Sequence, residues 1–136
     1  MRSIEFTVPG PPIPKARPRL GRGGHTYTPK RTVDAERRIR AAFASTGADP
    51  IEGALHIKIT CTFRPPASWS KKKQQAALDG QIQKTSKPDA DNLAKTVCDA
   101  LNGMAWKDDA QITSMHVKKE YGQEDKTEVK ITEDVW

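Results

Sequence analysis

Acidic residues crowd one short segment of this chain. The run Asp89-Ala90-Asp91-Asn92 is followed by Lys95, and a second acidic pair, Asp108-Asp109, comes after one amphipathic stretch. Carboxylates this close repel one another, so a fold that brings them together often does so to hold a divalent cation with oxygen ligands. The chemistry that such a group of residues could perform is metal-assisted hydrolysis of a phosphate ester.

A simpler interpretation of Asp89 or Asp91 is a helix cap, because aspartate is favoured there and its charge complements the helix dipole. That interpretation does not account for both acids, nor for Asp109, which lies beyond the helix. Taken together, Asp89, Asp91 and Asp109 could surround one Mg²⁺ or a pair of ions about 4 Å apart. Asp108 remains an alternative to Asp109.

Lys95 lies one helical turn after Asp91 and could contact a scissile phosphate. The same spacing also fits a salt bridge with Asp91 or Asp99, and Asp99 is predicted to be the partner of Lys95 rather than a ligand. Asn92 either orients a carboxylate by a hydrogen bond or is a plain first-turn residue. The segment lacks the glycine and the distant glutamate of an EF-hand.

Basic residues dominate the N-terminal third of the chain, and the formal net charge is +6. Charge alone often marks a well-solvated surface, but clustering favours a nucleic-acid partner. The residues of the cluster are Lys15, Arg17, Arg19, Arg22, Lys30, Arg31, Arg37, Arg38 and Arg40. Only Asp34 and Glu36 oppose them.

Length and cysteine usage indicate one domain, residues 1–136, that folds without disulfides or structural metal. Cys61 and Cys98 form no C-x-x-C pair and the three histidines are scattered, which argues against zinc. No apolar run approaches the roughly 18 residues of a membrane span, and no signal peptide is evident. We therefore expect a soluble protein of the cytoplasm.

Periodicity predicts the elements of the N-terminal half. Ile4, Phe6 and Val8 indicate a half-buried strand, and the proline-rich and glycine-rich residues 9–29 indicate a long loop. Thr28-Pro29 is expected to cap a helix that ends at Gly47. Residues 55–63 alternate as a strand with Cys61 on its buried face.

The C-terminal half continues with two helices and two strands. Ser68 or Ser70 is expected to cap a short helix over residues 71–78. A second helix, which ends at Gly103, is predicted to bury Leu93 and to expose Asp91 and Lys95. Residues 111–121 form a strand with Val129 and Ile131 as its hairpin partner. The order of elements predicts an α+β domain, a mixed β-sheet with helices packed on one face.

These motifs resemble the RusA-type Holliday junction resolvases, endodeoxyribonucleases of bacteria, phages and prophages. The resemblance rests on Lys87-Pro88-Asp89-Ala90-Asp91-Asn92-Leu93-Ala94-Lys95 and on Trp106-Lys107-Asp108-Asp109-Ala110-Gln111. Upstream support comes from Pro12-Ile13-Pro14-Lys15-Ala16-Arg17-Pro18-Arg19 and from Tyr27-Thr28-Pro29-Lys30. Some relatives carry an aromatic residue where Cys98 stands here, and Cys98 is expected to be a packing residue.

The resemblance implies a Mg²⁺-dependent homodimer, with Mn²⁺ able to substitute, that makes paired nicks in four-way DNA junctions during recombination and repair. Asp89, Asp91 and Asp109 look like the metal-binding acids, and Lys95 looks like the basic catalytic residue. The upstream motifs supply the candidate DNA contacts, which are Lys15, Arg17, Arg19 and Lys30. A non-catalytic module that binds branched DNA is the alternative, and a D-x-D glycosyltransferase ranks last because no nucleotide-binding unit is evident.

Overall fold

The first strand follows the alternation that the sequence predicts. In the computed structural model, which describes residues 2–16 and 19–134, β1 spans Ser3–Pro9 and buries Ile4, Phe6 and Val8 on one side. The following segment is irregular apart from a small antiparallel hairpin, in which β2, Arg19–Leu20, pairs with β3, Thr26–Tyr27. A single 3-10 turn, Arg22–Gly24, joins these two short strands.

The first helix, α1, spans Lys30–Ala44 and buries Thr32, Ala35, Ile39 and Phe43. The predicted cap at Thr28 is wrong, because Pro29 occupies the N-cap position and makes no side-chain hydrogen bond there. Proline suits this position because its missing N–H group would have no partner in the first turn. The helix ends before Gly47, whose positive φ of 69° lets the chain reverse direction.

The central strand and the short polar helix match their predicted bounds. Strand β4 spans Leu55–Phe63, and helix α2 spans Lys71–Leu78 with Ser70 accepting the backbone N–H of Lys73 at 3.1 Å. Cys61 is buried in β4, and burial raises the pKa of its thiol to about 11, so the group stays a neutral packing side chain.

The acidic segment begins helix α3, which spans Ala90–Leu101. Its buried face is the predicted one, and it consists of Leu93, Ala94, Thr96, Val97, Cys98, Ala100 and Leu101. Asp91 and Lys95 lie on the exposed face. Gly103, with φ of 81°, follows the helix and turns the chain toward the last two strands.

The main sheet has four strands in the order β1-β6-β4-β5, where β5 spans Ile112–Tyr121 and β6 spans Lys126–Glu133. Strand β6 runs antiparallel to both β1 and β4, whereas β5 runs parallel to β4. The predicted hairpin between the last two strands is therefore wrong. Strand β6 lies between β1 and β4, and its residues Val129 and Ile131 are buried. Burial of these two apolar side chains favours a central strand, because Phe6 and Ile4 of β1 flank them on one side and apolar residues of β4 on the other.

The four-residue link between β5 and β6 must pass over the end of β4. Two strand spacings amount to roughly 10 Å, and four residues reach about 13 Å when extended. The link passes close to β4, since Gly122 donates its N–H to the carbonyl of Phe63 at 2.9 Å and lies against Thr62. A Cβ atom at position 122 would overlap the Thr62 Cγ2 methyl, so only glycine fits here without displacing Thr62.

One hydrophobic cluster joins the sheet to α1 and α3, which pack on the same face. Polar and charged side chains, among them Glu5, Lys58, Glu128 and Lys130, cover much of the opposite face. The predicted class, an α+β fold with a mixed sheet and helices on one face, is confirmed. Within residues 2–16 and 19–134, none of the helices has the length and apolar content that crossing a membrane requires.

Candidate active site

The beginning of α3 presents two acids. Asp89 occupies the N-cap position with an extended backbone, yet its carboxylate makes no capping hydrogen bond, and Asp91 lies in the first turn. Both side chains are exposed. In the part of the chain that the structure describes, neither carboxylate has a hydrogen-bonding or ion-pairing partner, so the cap interpretation explains the position of Asp89 but not its side chain.

A cleft of about 710 Å³ runs between α3 and β5, and we call it the α3–β5 cleft. Asp91 and Lys95 line it from the helix, and Asp109 lines it from the turn before β5. Cys98, Thr113 and Met115 form part of its walls. Two of the three predicted metal ligands and the predicted catalytic lysine therefore border the same space.

Asp109 is fixed by a buried tryptophan. The Trp106 ring is fully buried, and its Nε1 donates a hydrogen bond to Asp109 Oδ1 at 2.7 Å. The sequence interpretation treated Trp106 only as part of a motif. The sequence signal for this contact is that Trp106 lies three residues before Asp109, because an indole N–H buried in a core needs an acceptor nearby.

Asp108 has a different role from its neighbour. Its carboxylate accepts the backbone N–H of Ala110 at 3.0 Å, and Gln111 Oε1 accepts the N–H groups of Lys107 and Asp108 at 2.8 and 3.0 Å. These reciprocal bonds cap the 3-10 turn Asp109–Gln111. Asp108 is thus engaged in backbone capping, whereas Asp109 is directed into the α3–β5 cleft.

Cys98 packs against the core, as predicted. Burial, together with the charges of Asp109 and Asp99, raises the pKa of its thiol to about 12. Asp109 and Cys98, which lies in the second half of α3, line the same cleft. Asp91 lies seven residues earlier, about 10 Å along a helix axis.

Asp99 belongs to an ion-pair network rather than to the acidic site. Its Oδ2 atom lies 3.7 Å from Lys95 Nζ and 3.1 Å from Lys15 Nζ, and Lys15 also contacts Glu36 Oε1 at 2.8 Å. The predicted pairing of Asp99 with Lys95 is confirmed. The Lys15 contact was not foreseen, because Lys15 lies far from Asp99 in sequence.

Lys15 holds the N-terminal loop against both helices. Its side chain is only 19% exposed, and its backbone N–H donates to the Asn92 carbonyl at 3.0 Å. Burial by itself lowers the pKa of Lys15, but hydrogen bonds and charges from Glu36 and Asp99 outweigh it and raise the pKa above 10.5. Its ammonium is therefore occupied by protein carboxylates, and its predicted DNA contact stays a prediction.

Asp89 faces a second cleft, of about 460 Å³, which we call the Asp89 cleft. Lys15, Arg31, Phe63, Lys87 and Asn92 are among its other lining residues. Asp89 and Asp91 thus border different clefts on either side of the N-terminus of α3. Of all described residues, no three His, Cys, Asp or Glu side chains lie close enough to hold a cation together, so the three-ligand site stays a prediction.

Lys119 of β5 is a residue that the sequence interpretation missed. Its Nζ atom donates to the carbonyl oxygens of Ser86 and Pro88 at 2.9 and 3.0 Å. These two carbonyls belong to the loop that leads directly into Asp89. The parallel pairing of β4 and β5 brings position 119 next to this loop, and local sequence contains no signal of that contact.

The remaining predicted DNA contacts lie on the N-terminal segment. Lys30 is exposed at the first residue of α1. Arg17 lies outside the described residues, and of Arg19 only the backbone, in β2, is described. Arg31, which was part of the basic cluster, lines the Asp89 cleft.

Comparison with known proteins gives two findings. A family model described as endodeoxyribonuclease RusA matches residues 9–132. An uncharacterized protein, YqaN of Bacillus subtilis (strain 168), is 34% identical over 139 aligned positions, which cover 98% of this chain and 98% of that protein. The range that the family model matches contains positions 89–109, where the acids of the candidate site lie.

Proposed function

Because the chain belongs to the RusA endodeoxyribonuclease family, we propose that it is a metal-dependent endonuclease that resolves Holliday junctions by paired nicks as a homodimer. One observation carries this proposal. Among the described residues, Asp89 and Asp91 keep exposed carboxylates without a protein partner at the beginning of α3, whereas protein groups engage Asp99 and Asp108.

The proposed ligands suit Mg²⁺ in kind. Asp89, Asp91 and Asp109 offer carboxylate oxygens, which are the donors that this hard cation prefers, and Mn²⁺ accepts the same donors. Like charges repel, so exposed carboxylates stand apart until a cation neutralises them. When bound, the metal would supply polarisation of the phosphate and a lower pKa for the attacking water.

Lys95 is the proposed phosphate-binding residue. Its side chain is 60% exposed and its ammonium lies 3.7 Å from Asp99, a contact of the kind that contributes little to stability in water. Asp99 keeps a closer partner in Lys15 at 3.1 Å. Lys95 can therefore turn from Asp99 to a phosphate oxygen without leaving a carboxylate unpaired.

A homodimer follows from the geometry of the proposed substrate. A four-way junction with two-fold symmetry presents two equivalent scissile phosphates, and two copies related by a two-fold axis can address both. We propose that each copy supplies one complete set of Asp89, Asp91, Lys95 and Asp109. Sedimentation of the free protein and of its junction complex measures the number of copies.

The alternative function is a module that binds branched DNA without cutting it. The separation of Asp89 from the α3–β5 cleft favours this alternative, since the three acids do not converge in the described structure. In that case Asp89, Asp91 and Asp109 would have no catalytic role and would only form part of the surface near α3. Cleavage of a four-way junction in Mg²⁺ decides between the two functions.

The test is cleavage of a labelled four-way junction in Mg²⁺ by the wild type and by Asp91→Asn. We expect paired nicks from the wild type and none from the variant, with junction affinity equal or higher because a negative charge near phosphate is lost. Glu5→Gln is the matched control, since it removes one negative charge on the opposite face of the sheet. Binding by the wild type without cleavage in Mg²⁺ or Mn²⁺ would establish the binding module instead.

A further inference from the structure

Three aromatic rings and three lysines form one surface at the ends of β4 and β5. The members of this aromatic–lysine surface are Phe63, Trp69, Lys73, Lys84, Lys119 and Tyr121. Trp69 packs edge-to-face on Tyr121 with ring centroids 5.5 Å apart. Lys73 Nζ lies 4.0 Å from the Trp69 ring, and Lys84 Nζ lies 4.6 Å from the Phe63 ring and 5.6 Å from the Tyr121 ring.

The lysines of this surface lack acidic partners. Within the described residues, none of Lys73, Lys84 and Lys119 lies within 4.0 Å of a carboxylate, and nearby Glu120 is paired with Lys118 at 3.5 Å. Residues 64–87, which connect β4 to the acidic loop, contain six lysines or arginines and one acid. Lys15 differs from these lysines, because it packs against the protein and its ammonium group lies between the carboxylates of Glu36 and Asp99.

The ammonium groups of Lys84 and Lys119 repel each other. Burial lowers the pKa of Lys84, and the positive charge of Lys119 lowers it further. Like charges held together without a counter-ion attract an anion, because the anion removes the repulsion between them. Phosphate groups are among the anions that lysine ammonium groups bind.

The rings fix the positions of the lysines. A ring face attracts the ammonium group above it, so the long side chain keeps fewer rotamers and less entropy is lost when a ligand binds. Lys73 already covers Trp69, and Lys84 covers Phe63. One face of Trp69 and one face of Phe63 are thus covered by ammonium groups, which favours contact with an anion over stacking of a base on those faces.

The surface adjoins the candidate active site. Lys84 Nζ donates to Ser86 Oγ at 3.0 Å, and Lys119 binds the carbonyls of Ser86 and Pro88. Ser86 precedes Asp89 by three residues, at most about 11 Å of extended chain. Phe63 and Lys87 also line the Asp89 cleft, so the two regions share a border.

From this arrangement we propose that the aromatic–lysine surface binds backbone phosphates of the DNA strand that flanks the scissile position, with Lys73 and Lys84 as the contacts. This inference rests on the proposed nuclease function and extends it to a second part of the substrate. Because only phosphates are contacted, binding here is independent of base sequence.

The test compares two double variants with the same change in net charge. Lys73→Met with Lys84→Met removes the two proposed contacts, whereas Lys71→Met with Lys72→Met removes two lysines of the same segment for which the structure shows no ring contact. Junction affinity is measured by fluorescence anisotropy across a salt series in EDTA, where metal-dependent cutting cannot occur. For the first variant we expect roughly tenfold weaker binding and a salt slope smaller by about two.

The control variant is expected to keep the wild-type slope. Lys73→Arg with Lys84→Arg keeps both charges and should retain most of the affinity, and an unchanged urea-unfolding midpoint of the methionine variant excludes a folding defect. Equal losses in both methionine variants, or no loss in either while the wild type binds and cuts, would overturn this inference alone. If the wild type neither binds nor cuts the junction, the proposed function and this inference fall together.

Discussion

Adjacent acids in this protein differ in function because of the hydrogen bonds that each one makes. Asp108 caps a backbone turn, and Asp109 accepts one bond from Trp106 and faces the α3–β5 cleft. Asp99 is held by Lys15, whereas Asp91 has no protein partner among the described residues. At this scale the candidate site consists of the acids that the fold leaves available.

The pair Asp108 and Asp109 gives the clearest prediction at the residue scale. Asp109→Asn should abolish metal-dependent cleavage and leave stability almost unchanged, because an asparagine oxygen can still accept the Trp106 N–H. Asp108→Ala should keep cleavage and lose about 0.5–2 kcal/mol of unfolding free energy through the lost cap. Junction cleavage assays and urea denaturation measure the two effects, and normal cutting by Asp109→Asn would transfer the ligand role to Asp108.

Lys119 is expected to position Asp89 rather than to touch the substrate. Lys119→Met removes both bonds to the loop carbonyls of Ser86 and Pro88, so kcat should fall at least tenfold while the KM for junction DNA changes less. Lys118→Met is the matched control, since the adjacent lysine points to Glu120. Equal kinetics in the two variants would contradict a positioning role.

At the scale of elements, the site depends on how β4 and β5 are paired. Parallel strands need a long crossover, and here the crossover contains α2 and α3. It therefore carries the acidic helix across the helix-covered face of the sheet, next to the edge strand β5. The same pairing brings Lys119 to the loop before Asp89, and Asp109 lies in the turn that leads directly into β5.

The crossing at Gly122 can be tested by stability. Gly122→Ala should destabilise the protein by about 1–3 kcal/mol, because the new methyl group overlaps Thr62 Cγ2 in a packed region. Thr62→Ser removes that methyl, so the double variant should recover part of the loss. A double-mutant cycle from urea unfolding gives the coupling, and additive effects would show that the two groups do not meet.

At the scale of the whole molecule, charge is distributed unevenly. The net charge is +6, and the basic cluster of the N-terminal third includes Arg31, which lines the Asp89 cleft together with Asp89. Cationic side chains near exposed acids attract DNA over a distance. This arrangement fits the membership of the nuclease family.

Salt dependence tests this distribution. Lys30→Gln and Arg31→Gln, which change exposed residues at the beginning of α1, should each lower the slope of log affinity against log salt by about one. Lys58 lies on the opposite face of the sheet, so Lys58→Gln should leave the slope unchanged. A slope that responds equally to all three substitutions would show that overall charge, rather than this surface, determines binding.

Local patterns predicted the elements well. The strand over residues 55–63, the short helix over 71–78 and the buried face of α3 have the predicted positions. Each of these depends on the period of apolar residues or on a capping serine, and both signals are local. The pairing of β6 was mispredicted because adjacency in sequence suggested a hairpin, while burial of Val129 and Ile131 favours the centre of the sheet.

The sequence by itself determined which residues are acidic, which helix presents them and which family the chain resembles, since spacing and side-chain type are properties of the chain. Only the tertiary structure decided which charges remain available. Lys15 reaches Asp99, and Trp106 fixes Asp109, through contacts that exist only after the loop, the helices and the sheet have packed. A carboxylate becomes structural or available according to the donors that packing brings to it, and those donors come from distant parts of the chain.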